Sequence, residues 1–549
     1  MYFIENPVLQ WELLANLRRK RAFLLLLVYQ AALALVVYMA WPQDAKLDLT
    51  GNPESARTLG DLFFLGQYVI ASLIAPSFAA GAITGEKERQ TYEMLLASPL
   101  RPAAIVLGKL VASLAHLAVL IFASLPIVML CLPLGGIHPY EVVAAYIGII
   151  SSVITFGMIS IACSSAFQRT SASLVVSYLI ILPLVMIGAS IWYVLADHFA
   201  ARILLAALVM PAIGAAVCAL LFASTAARLL HPPDVGSEGK DVVDLERESQ
   251  QAVGLVIQRD QFPDWLFAPA KREDLMEDNA NPVYDKEMRS EIFSQGTLML
   301  RVVIQVSMAL CLPLMAVCLY IMPQFSAWYI SYVIVFNMLV GPVFSAGSVT
   351  SERERETLDL LLTTVITPWQ ILWGKLFAGL RVSCVLTLFL LWPLLLACIM
   401  VSAYWVNLLA VGAYLLIVLV TCLTTAMVAL FCSVLFKKTS HALLATYLAL
   451  AIQFCAPLAM SGFAMTFFPT HPSTVVIAMS NVVSPLGATI SVPLNIDTGE
   501  ERFDSLGQPI VRPTSWVPLG LFIAATSAEN LTLLGAMIWL FNTRWRVAG

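Results

Sequence analysis

Twelve stretches of the chain are each long and apolar enough to cross a lipid bilayer, and no other feature constrains its fold more. The bilayer core is about 30 Å thick, so a spanning α-helix needs about 20 mostly apolar residues. Irregular chain would leave backbone amides unpaired in lipid, so the sequence predicts an all-α polytopic membrane protein with about 12 transmembrane helices. The stretches lie at roughly 22–41, 62–84, 104–132, 140–166, 172–195, 203–229, 297–321, 327–350, 370–400, 404–435, 441–468 and 516–541.

The composition of the 549 residues excludes most other classes of protein. Apolar residues make up 60% of the chain and charged residues only 12%. Soluble proteins carry roughly twice that charged fraction. A soluble enzyme, a disordered chain and a nucleic-acid-binding protein are therefore excluded, and we expect no nucleic-acid partner.

The basic residues indicate how the chain is oriented. With the N-terminus in the cytoplasm, only five of the 31 Lys and Arg residues fall on the opposite side. This asymmetry is what the positive-inside rule requires. We therefore predict a multi-pass protein of the cell membrane with both termini cytoplasmic, located in the inner membrane if the source is a Gram-negative bacterium. The five exceptions are Lys46, Arg57, Arg202, Arg502 and Arg512.

The two halves of the chain resemble each other at polar as well as apolar positions. Segment 85–110 aligns without gaps on 351–376 and is identical at 11 of 26 positions, and segment 163–179 matches 432–448 at 8 of 17. Asn6-Pro7-Val8 recurs as Asn281-Pro282-Val283. The order of these matches predicts an internal duplication.

The duplication predicts three regions along the chain. Residues 1–230 and 281–549 are each expected to form a six-span unit, with 231–280 as an acidic cytoplasmic linker of twelve acidic and five basic residues. Both units begin in the cytoplasm, so they are parallel repeats. Such repeats are expected to form a pseudo-dimer about an axis along the membrane normal.

Each unit carries one charged segment between its second and third spans, at 85–103 and 351–368. Acidic residues come first, leucines follow, and a proline ends the pattern, which predicts a short amphipathic helix at the membrane surface. Solvated topology anchors are the alternative interpretation. Both copies hold the pattern Glu-x-Glu-Arg-x-Thr, although topology needs only positive charge, so the pattern favours a binding surface for a partner.

This pattern, followed by Leu-Leu, Pro and Gly-Lys-Leu, resembles the signature of permease subunits of ABC-2 type exporters. The resemblance implies that the two segments are coupling helices that fit a separate ABC ATPase, and that 1–21 and 281–296 are connecting helices along the membrane surface. Family members commonly carry one six-span unit and dimerise, whereas two units are fused here. The residues expected to face the ATPase are Glu86, Glu88, Arg89 and Thr91 in the first segment and Glu352, Glu354, Arg355 and Thr357 in the second.

No nucleotide-binding motif accompanies these segments. A P-loop requires Gly-x-x-x-x-Gly-Lys-[Ser/Thr], and the nearest fragments, at 107–110 and 373–376, lack the first glycine and the hydroxyl residue. No cluster of His, Cys and carboxylates has metal-ligand spacing. We therefore predict a permease without catalytic activity or cofactor, whose partners are separate ABC ATPase subunits, membrane lipids and a transported substrate.

Three ionisable residues within predicted spans are further functional candidates, because buried charge in a membrane is costly. Glu529 lies near the middle of the last span, where it predicts either a proton or cation relay or a polar kink. His116 and Arg381 lie at similar depths in the third spans of the two halves, and Arg381 is long enough to reach the cytoplasm. An ion-coupled transporter that uses Glu529 and a membrane scaffold that does not transport remain alternatives to the exporter.

Overall fold

The computed structural model divides the chain into two compact units, Met1–Asp244 and Leu245–Gly549. The predicted linker 231–280 lies outside the described residues, as do most of the predicted spans 22–41 and 297–321. The described residues are 53–131, 138–167, 170–195, 198–230, 281–289, 315–321, 325–354, 356–364, 366–467, 479–494 and 516–544, together with isolated positions at 10, 27, 29–31, 33–34, 312 and 477.

The first unit consists of helices throughout its described residues. A five-residue π-helix, Leu205–Val209, joins the last two of them into one continuous rod. The helices are α1 Pro53–Ala79, α2 Gly81–Glu88, α3 Tyr92–Leu96, α4 Pro102–Cys131, α5 Pro139–Ala166, α6 Thr170–Val194, α7 Phe199–Leu204 and α8 Met210–Leu230.

The second unit is likewise helical where it is described. A π-helix, Ala451–Cys455, interrupts the rod formed by α16 and α17, and a second one covers Ala316–Ile321. The helices are α9 Pro282–Arg289, α10 Ser326–Ser345, α11 Thr350–Glu354, α12 Leu358–Leu362, α13 Pro368–Met400, α14 Ser402–Val406, α15 Leu408–Leu435, α16 Thr439–Leu450, α17 Ala456–Phe467, α18 Pro485–Ser491 and α19 Val517–Arg544.

Ten helices of the described chain are long and apolar enough to cross a membrane, five in each unit. They correspond to predicted spans 2–6 and 8–12, and the all-α polytopic fold is confirmed. The total of twelve depends on the stretches 22–41 and 297–321, so it stays a prediction, as do the two parallel six-helix repeats.

Prolines fix where several spans begin. Pro102, Pro139 and Pro368 each occupy the first turn of a membrane helix, where the missing N–H costs nothing because that position has no intrahelical acceptor. Thr367 completes the start of α13 with a capping box, since its hydroxyl accepts from the Gln370 N–H and the Gln370 side chain accepts from the Thr367 N–H. The prolines that end the charged segments are therefore the starts of the next spans.

One long helix lies at the centre of each unit. In the first unit α5 packs against α1, α4, α6 and α8, and in the second unit α15 packs against α10, α13, α16 and α19. Buried aliphatic and aromatic side chains fill the spaces between these helices. Each of these two helices therefore packs against at least four other helices of its own unit.

The chain between the last two predicted spans of the second unit contains a buried helix, α18. Helix α18 packs against α10, α15 and α19, and Ser484 caps it by accepting from the Gly487 N–H at 3.4 Å. The same Ser484 hydroxyl donates to the Phe454 carbonyl at 2.6 Å. A Cβ at Gly487 would lie 2.4 Å from the Asn481 carbonyl oxygen, so only glycine allows this close approach.

Candidate functional site: the two elbows

The charged segments form bends that we call the first elbow, residues 81–101, and the second elbow, residues 347–367. Each elbow contains two short helices separated by a tight turn, α2 and α3 in the first and α11 and α12 in the second. The sequence predicted one amphipathic helix in each place. The helix breaks because Gln90 and Glu356 both adopt a left-handed backbone with φ of 58°.

The turn is a Schellman motif in both elbows. In the first, the N–H of Gln90 donates to the Lys87 carbonyl at 3.1 Å and the N–H of Thr91 donates to the Glu86 carbonyl at 3.0 Å. The second elbow has the same two bonds, from Glu356 to Arg353 and from Thr357 to Glu352, at 3.3 and 2.9 Å. This motif ends a helix by satisfying its last carbonyls, usually with glycine at the left-handed position.

The first glutamate of each pattern holds its elbow closed. The Thr91 hydroxyl donates to the Glu86 carboxylate, and the Thr357 hydroxyl donates to the Glu352 carboxylate. Lys109, which is only 2% exposed, reaches Glu86 Oε1 at 3.4 Å from the first turns of α4. Lys375 takes the same position in the second unit, with Nζ 3.7 Å from Glu352 Oε1. The Gly-Lys of the repeated pattern thus supplies a buried counter-charge for the glutamate.

The second glutamate of each pattern joins its elbow to the start of a later helix of the same unit, α6 in the first unit and α16 in the second. Glu88 Oε1 accepts from the Thr170 N–H at 2.7 Å, and Glu354 Oε1 accepts from the Thr439 N–H at 2.9 Å. These N–H groups open α6 and α16, where a negative charge complements the helix dipole. Both glutamates remain exposed, as does Arg89. Arg355 lies outside the described residues.

A buried serine from the central helix completes each elbow. Ser164 Oγ accepts from the N–H groups of Ile83 and Thr84 at 3.0 and 2.9 Å. Ser433 Oγ accepts from Val349 and Thr350 at 3.0 and 3.1 Å. A helix leaves its first N–H groups without intrahelical acceptors, so each serine provides the acceptor for the helix that begins its elbow.

A basic residue binds the C-terminal end of the central helix, next to the same serine. Lys87 Nζ donates to the carbonyls of Ser165 and Phe167 at 2.7 and 2.8 Å. Arg353 donates to the Phe436 and Val434 carbonyls at 2.6 and 3.0 Å. Cations at a helix C-terminus are favourable because its last carbonyls are unpaired.

A buried tyrosine, Tyr92, contacts the side chain of Lys87 within the first elbow. Lys87 Nζ lies 5.5 Å from the centroid of the Tyr92 ring. A phenol with its ordinary pKa is already neutral at physiological pH, and burial raises the pKa of Tyr92 further. The neutral ring and the ammonium group therefore make a stable contact beneath the turn.

The second elbow is also joined to α9, which follows the repeated Asn-Pro. Asn281 Oδ1 accepts from the Val283 N–H at 3.0 Å and so caps α9. Lys286 Nζ donates to Glu352 at 2.7 Å. Lys375 donates to Glu287 at 2.5 Å, which closes a chain of four alternating charges. The corresponding Asn6-Pro7 and residues 1–21 lie outside the described residues, apart from Gln10.

Each elbow presents an exposed apolar side chain at its tip. Met94 in α3 is 74% exposed, and Leu360 at the aligned position in α12 is 68% exposed. The residues before them, Glu93 and Asp359, are exposed carboxylates. The sequence did not distinguish these two positions from their neighbours. The leucines around them are partly buried, and a single helical pattern contains both the buried and the exposed apolar residues.

The three intramembrane candidates lie in different environments. His116 stacks on Phe78 with ring centroids 6.1 Å apart. Arg381, which lies within α13, donates to the hydroxyl of Tyr284 in α9 at 3.1 Å. Glu529 accepts from Gln453 Nε2 at 2.6 Å, and the π-helix Ala451–Cys455 carries that glutamine. Within the second unit, Arg381 and Glu529 therefore have different partners.

A charge cluster that sequence reasoning missed lies in the first unit. Arg202 is 1% exposed, and its Nη1 donates to Asp61 at 2.8 Å and to Glu141 at 3.1 Å. The guanidinium also lies 4.2 Å from the Trp192 ring centroid and donates to the Trp192 carbonyl. The cluster draws on four helices that are distant in sequence. Among the described residues, no group of three or more His, Cys, Asp and Glu could hold a metal ion.

Comparison with known proteins identifies the family. The model of the ABC-2 family transporter proteins matches residues 11–208 and 235–543, which together cover most of the chain. No curated protein and no solved structure matches the chain significantly. With ten helices that could span a membrane and a family match over both halves, the chain belongs to the ABC-2 family of transporter proteins and is a multi-pass transmembrane permease.

Proposed function

We propose that this permease is an exporter that couples ATP hydrolysis by separate ABC ATPase subunits to transport, with one ATPase docked on each elbow. The observation that carries the proposal is the exposed apolar tip of each elbow, Met94 and Leu360. A few side chains that fill well-packed, desolvated pockets carry most of the binding energy of a protein interface, and an exposed side chain at the tip of an elbow is placed to do so. The exposed carboxylates of Glu93 and Asp359 supply charge beside the anchor.

The internal bonds of the elbow support a role in transmitting force. The hydrogen bond between Thr91 and Glu86 holds the first turn closed, and the bond between Thr357 and Glu352 holds the second turn closed. Lys109 and Lys375 tie these turns to the third spans. A push on an elbow tip is therefore passed to the membrane helices instead of being absorbed by a flexible loop.

The outward residues of the repeated pattern complete the proposed docking surface. Glu88, Glu354 and Arg89 are exposed beside the turns, and we assign Arg355 to the same surface from its position in the pattern. ATP-driven closure of the ATPases would pull on the elbows. Rigid movement of each unit would then open the substrate path alternately to the two sides of the membrane. In this account the permease lies in the cell membrane with both termini cytoplasmic.

Substitution of the two tips tests the docking surface. In the double variant Met94→Ser and Leu360→Ser, we expect affinity for the ABC ATPase that copurifies with the wild-type chain to fall at least about ten-fold. Substrate-stimulated ATP hydrolysis should fall with it. Matched controls are Tyr140→Ser and Leu409→Ser, which are equally exposed at 75% and 80% but lie about 36 Å along α5 and α15 from the elbows. Unchanged ATPase binding in the tip variant would refute the assignment.

The paired side chains of Glu529 and Gln453 favour ion coupling as the second candidate function. An intramembrane carboxylate with an amide partner is a candidate proton carrier. This alternative predicts that transport in vesicles continues without ATP and is abolished by Glu529→Gln. Transport that requires ATP and survives Glu529→Gln would exclude it.

A further inference from the structure

Three exposed aromatic side chains follow the second elbow along one face of α13, and we call them the aromatic ladder. Trp369, Trp373 and Phe377 recur every four residues and are 45%, 39% and 39% exposed. The two indole rings stack with centroids 5.2 Å apart, and Phe377 meets Trp373 edge-on at 4.6 Å. Positions four apart on a helix are neighbours on its surface, so the three rings form one apolar patch. Contiguous exposed apolar patches mark contacts with a protein or a membrane.

The far end of α13 shows which part of this long helix meets lipid. The helix has 33 residues, whereas the bilayer core takes only about 20 helical residues. Ile399 and Met400 in its last turn are both 70% exposed, and Trp405 just beyond them is 60% exposed. An apolar helix end followed by a tryptophan is typical of a span that leaves the bilayer there, so the core extends from Met400 back to about residue 380. The two indoles lie about 10 and 16 Å further along the axis, past a headgroup layer of about 5–7 Å.

The charges beside the aromatic ladder agree with this depth. Lys375 lies two residues after Trp373 and pairs with Glu287 and Glu352. Glu352 also pairs with Lys286, whose side chain is 59% exposed. Hydrocarbon is a costly place for such a chain of charges. The stacked indoles, which lie at this level and nearer the elbow, are therefore outside the hydrocarbon and available to a protein on the side of the elbow.

The first unit carries smaller side chains at the corresponding positions. In the alignment of segment 85–110 on 351–376, Trp369 corresponds to Ala103 and Trp373 to Leu107. Tryptophan is among the residue types that most often carry the binding energy of an interface, whereas leucine is under-represented there. The two elbows share their turns, their glutamates and their apolar tips, so the aromatic ladder is a difference between two otherwise similar surfaces.

The aromatic ladder and the tip of the second elbow stand on one packed support. Leu358 in α12 and Ile371 and Leu372 in α13 belong to a single buried cluster. Leu360, the exposed tip, therefore lies on a helix that packs on the same side chains as the first turns of α13. The proposed docking surface of the second elbow thus continues onto the ladder, and the partner that fits both is the ABC ATPase.

We propose that the stacked pair Trp369 and Trp373 is an additional anchor for the ABC ATPase at the second elbow. The permease then has one tight and one weaker ATPase position, and the second elbow fills first as the ATPase is added. This inference rests on the proposed docking of one ATPase on each elbow. Tryptophans supply a large, rigid contact area, and the aligned Ala103 and Leu107 do not offer the first elbow an equivalent contact.

The experiment uses the full chain in nanodiscs, titrated with the purified ABC ATPase that copurifies with the wild-type chain. Native mass spectrometry counts the bound ATPases. We expect the wild-type chain to bind two ATPases with Kd values that differ at least about ten-fold. Trp369→Ala combined with Trp373→Ala should weaken the tight position until both are equal. The matched control, Trp328→Ala combined with Trp405→Ala, removes tryptophans that are 57% and 60% exposed but distant from the elbow, and it should leave both Kd values unchanged.

A second measurement does not depend on the tryptophan variant. At one ATPase per two permeases, a photoreactive amino acid at Leu360 should give at least about five times the crosslinked product that it gives at Met94. Equal yields at the two tips, or unequal Kd values that persist in the folded tryptophan variant, would overturn the inference. So would fluorescence of the two tryptophans, taken as wild type minus variant, that brominated phospholipid quenches while the ATPase is bound, because lipid would then cover the ladder.

Failure of the proposed function has a different signature. If the variant Met94→Ser and Leu360→Ser still binds two ATPases with wild-type affinity, the elbow tips are not the docking surface, and the inference falls with them. If that variant loses both ATPases while the wild-type chain binds them with equal affinity, docking on the elbows stands and only the role of the aromatic ladder is refuted.

Discussion

Removal of the Ser164 hydroxyl is the sharpest test of how the first elbow is built. The Ser164 Oγ is the acceptor for the N–H groups of Ile83 and Thr84, at 3.0 and 2.9 Å, and all three residues are at most 1% exposed. Each buried donor that loses its acceptor costs about 1–3 kcal/mol. Ser164→Ala should therefore lower the free energy of unfolding by at least about 2 kcal/mol.

That loss is measurable as a thermal shift in detergent. For a unit of roughly 200 residues, 2 kcal/mol corresponds to a drop in Tm of about 4–8 °C. The control is Ser160→Ala, one turn earlier in α5 and equally buried, whose hydroxyl only donates to the Phe156 carbonyl of its own helix. We expect its Tm to change by less than half as much. Equal shifts for Ser164→Ala and Ser160→Ala would refute the capping role of Ser164.

Two further predictions concern the charges and the turns of the elbows. Lys375→Met should lower the free energy of unfolding by about 3–5 kcal/mol, because Glu287 and Glu352 lose a nearly fully buried ammonium group; a change below about 1 kcal/mol in denaturant titrations would contradict this. Gln90→Gly and Glu356→Gly should each raise it by up to about 1 kcal/mol, since glycine adopts φ of 58° without the Cβ clash. Lower stability in both glycine variants would show that these side chains contribute more than their backbone strain costs.

The elbows show which structural features could be predicted from the sequence and which could not. The pattern Glu-x-Glu-Arg-x-Thr predicted a surface helix at both places, and the prolines predicted where each charged segment ends; the structure shows that Pro102 and Pro368 are also the first residues of the next spans. The break within each predicted helix was missed because Gln90 and Glu356 occupy positions where glycine is the usual signal. Without that signal, a helical period continues through the turn.

Long-range pairing explains the other omissions. Asp61, Glu141 and Arg202 come from three helices, and nothing in their local sequence links them. The roles of Ser164 and Ser433 could have been found, because both lie at aligned positions of the second repeated segment. A serine among apolar residues of a span is unremarkable by itself, however, and only the position of the elbow shows which donors it serves.

Site-specific crosslinking tests whether the elbow tips are the surface that contacts the ATPases. A photoreactive amino acid is placed at Met94 or Leu360, and at Tyr140 or Leu409 as matched exposed positions on the same units. In membranes that contain the ABC ATPase, we predict a crosslinked product from each tip position and none from the two control positions. Absence of a product from both tips, or equal yields at all four positions, would contradict the account.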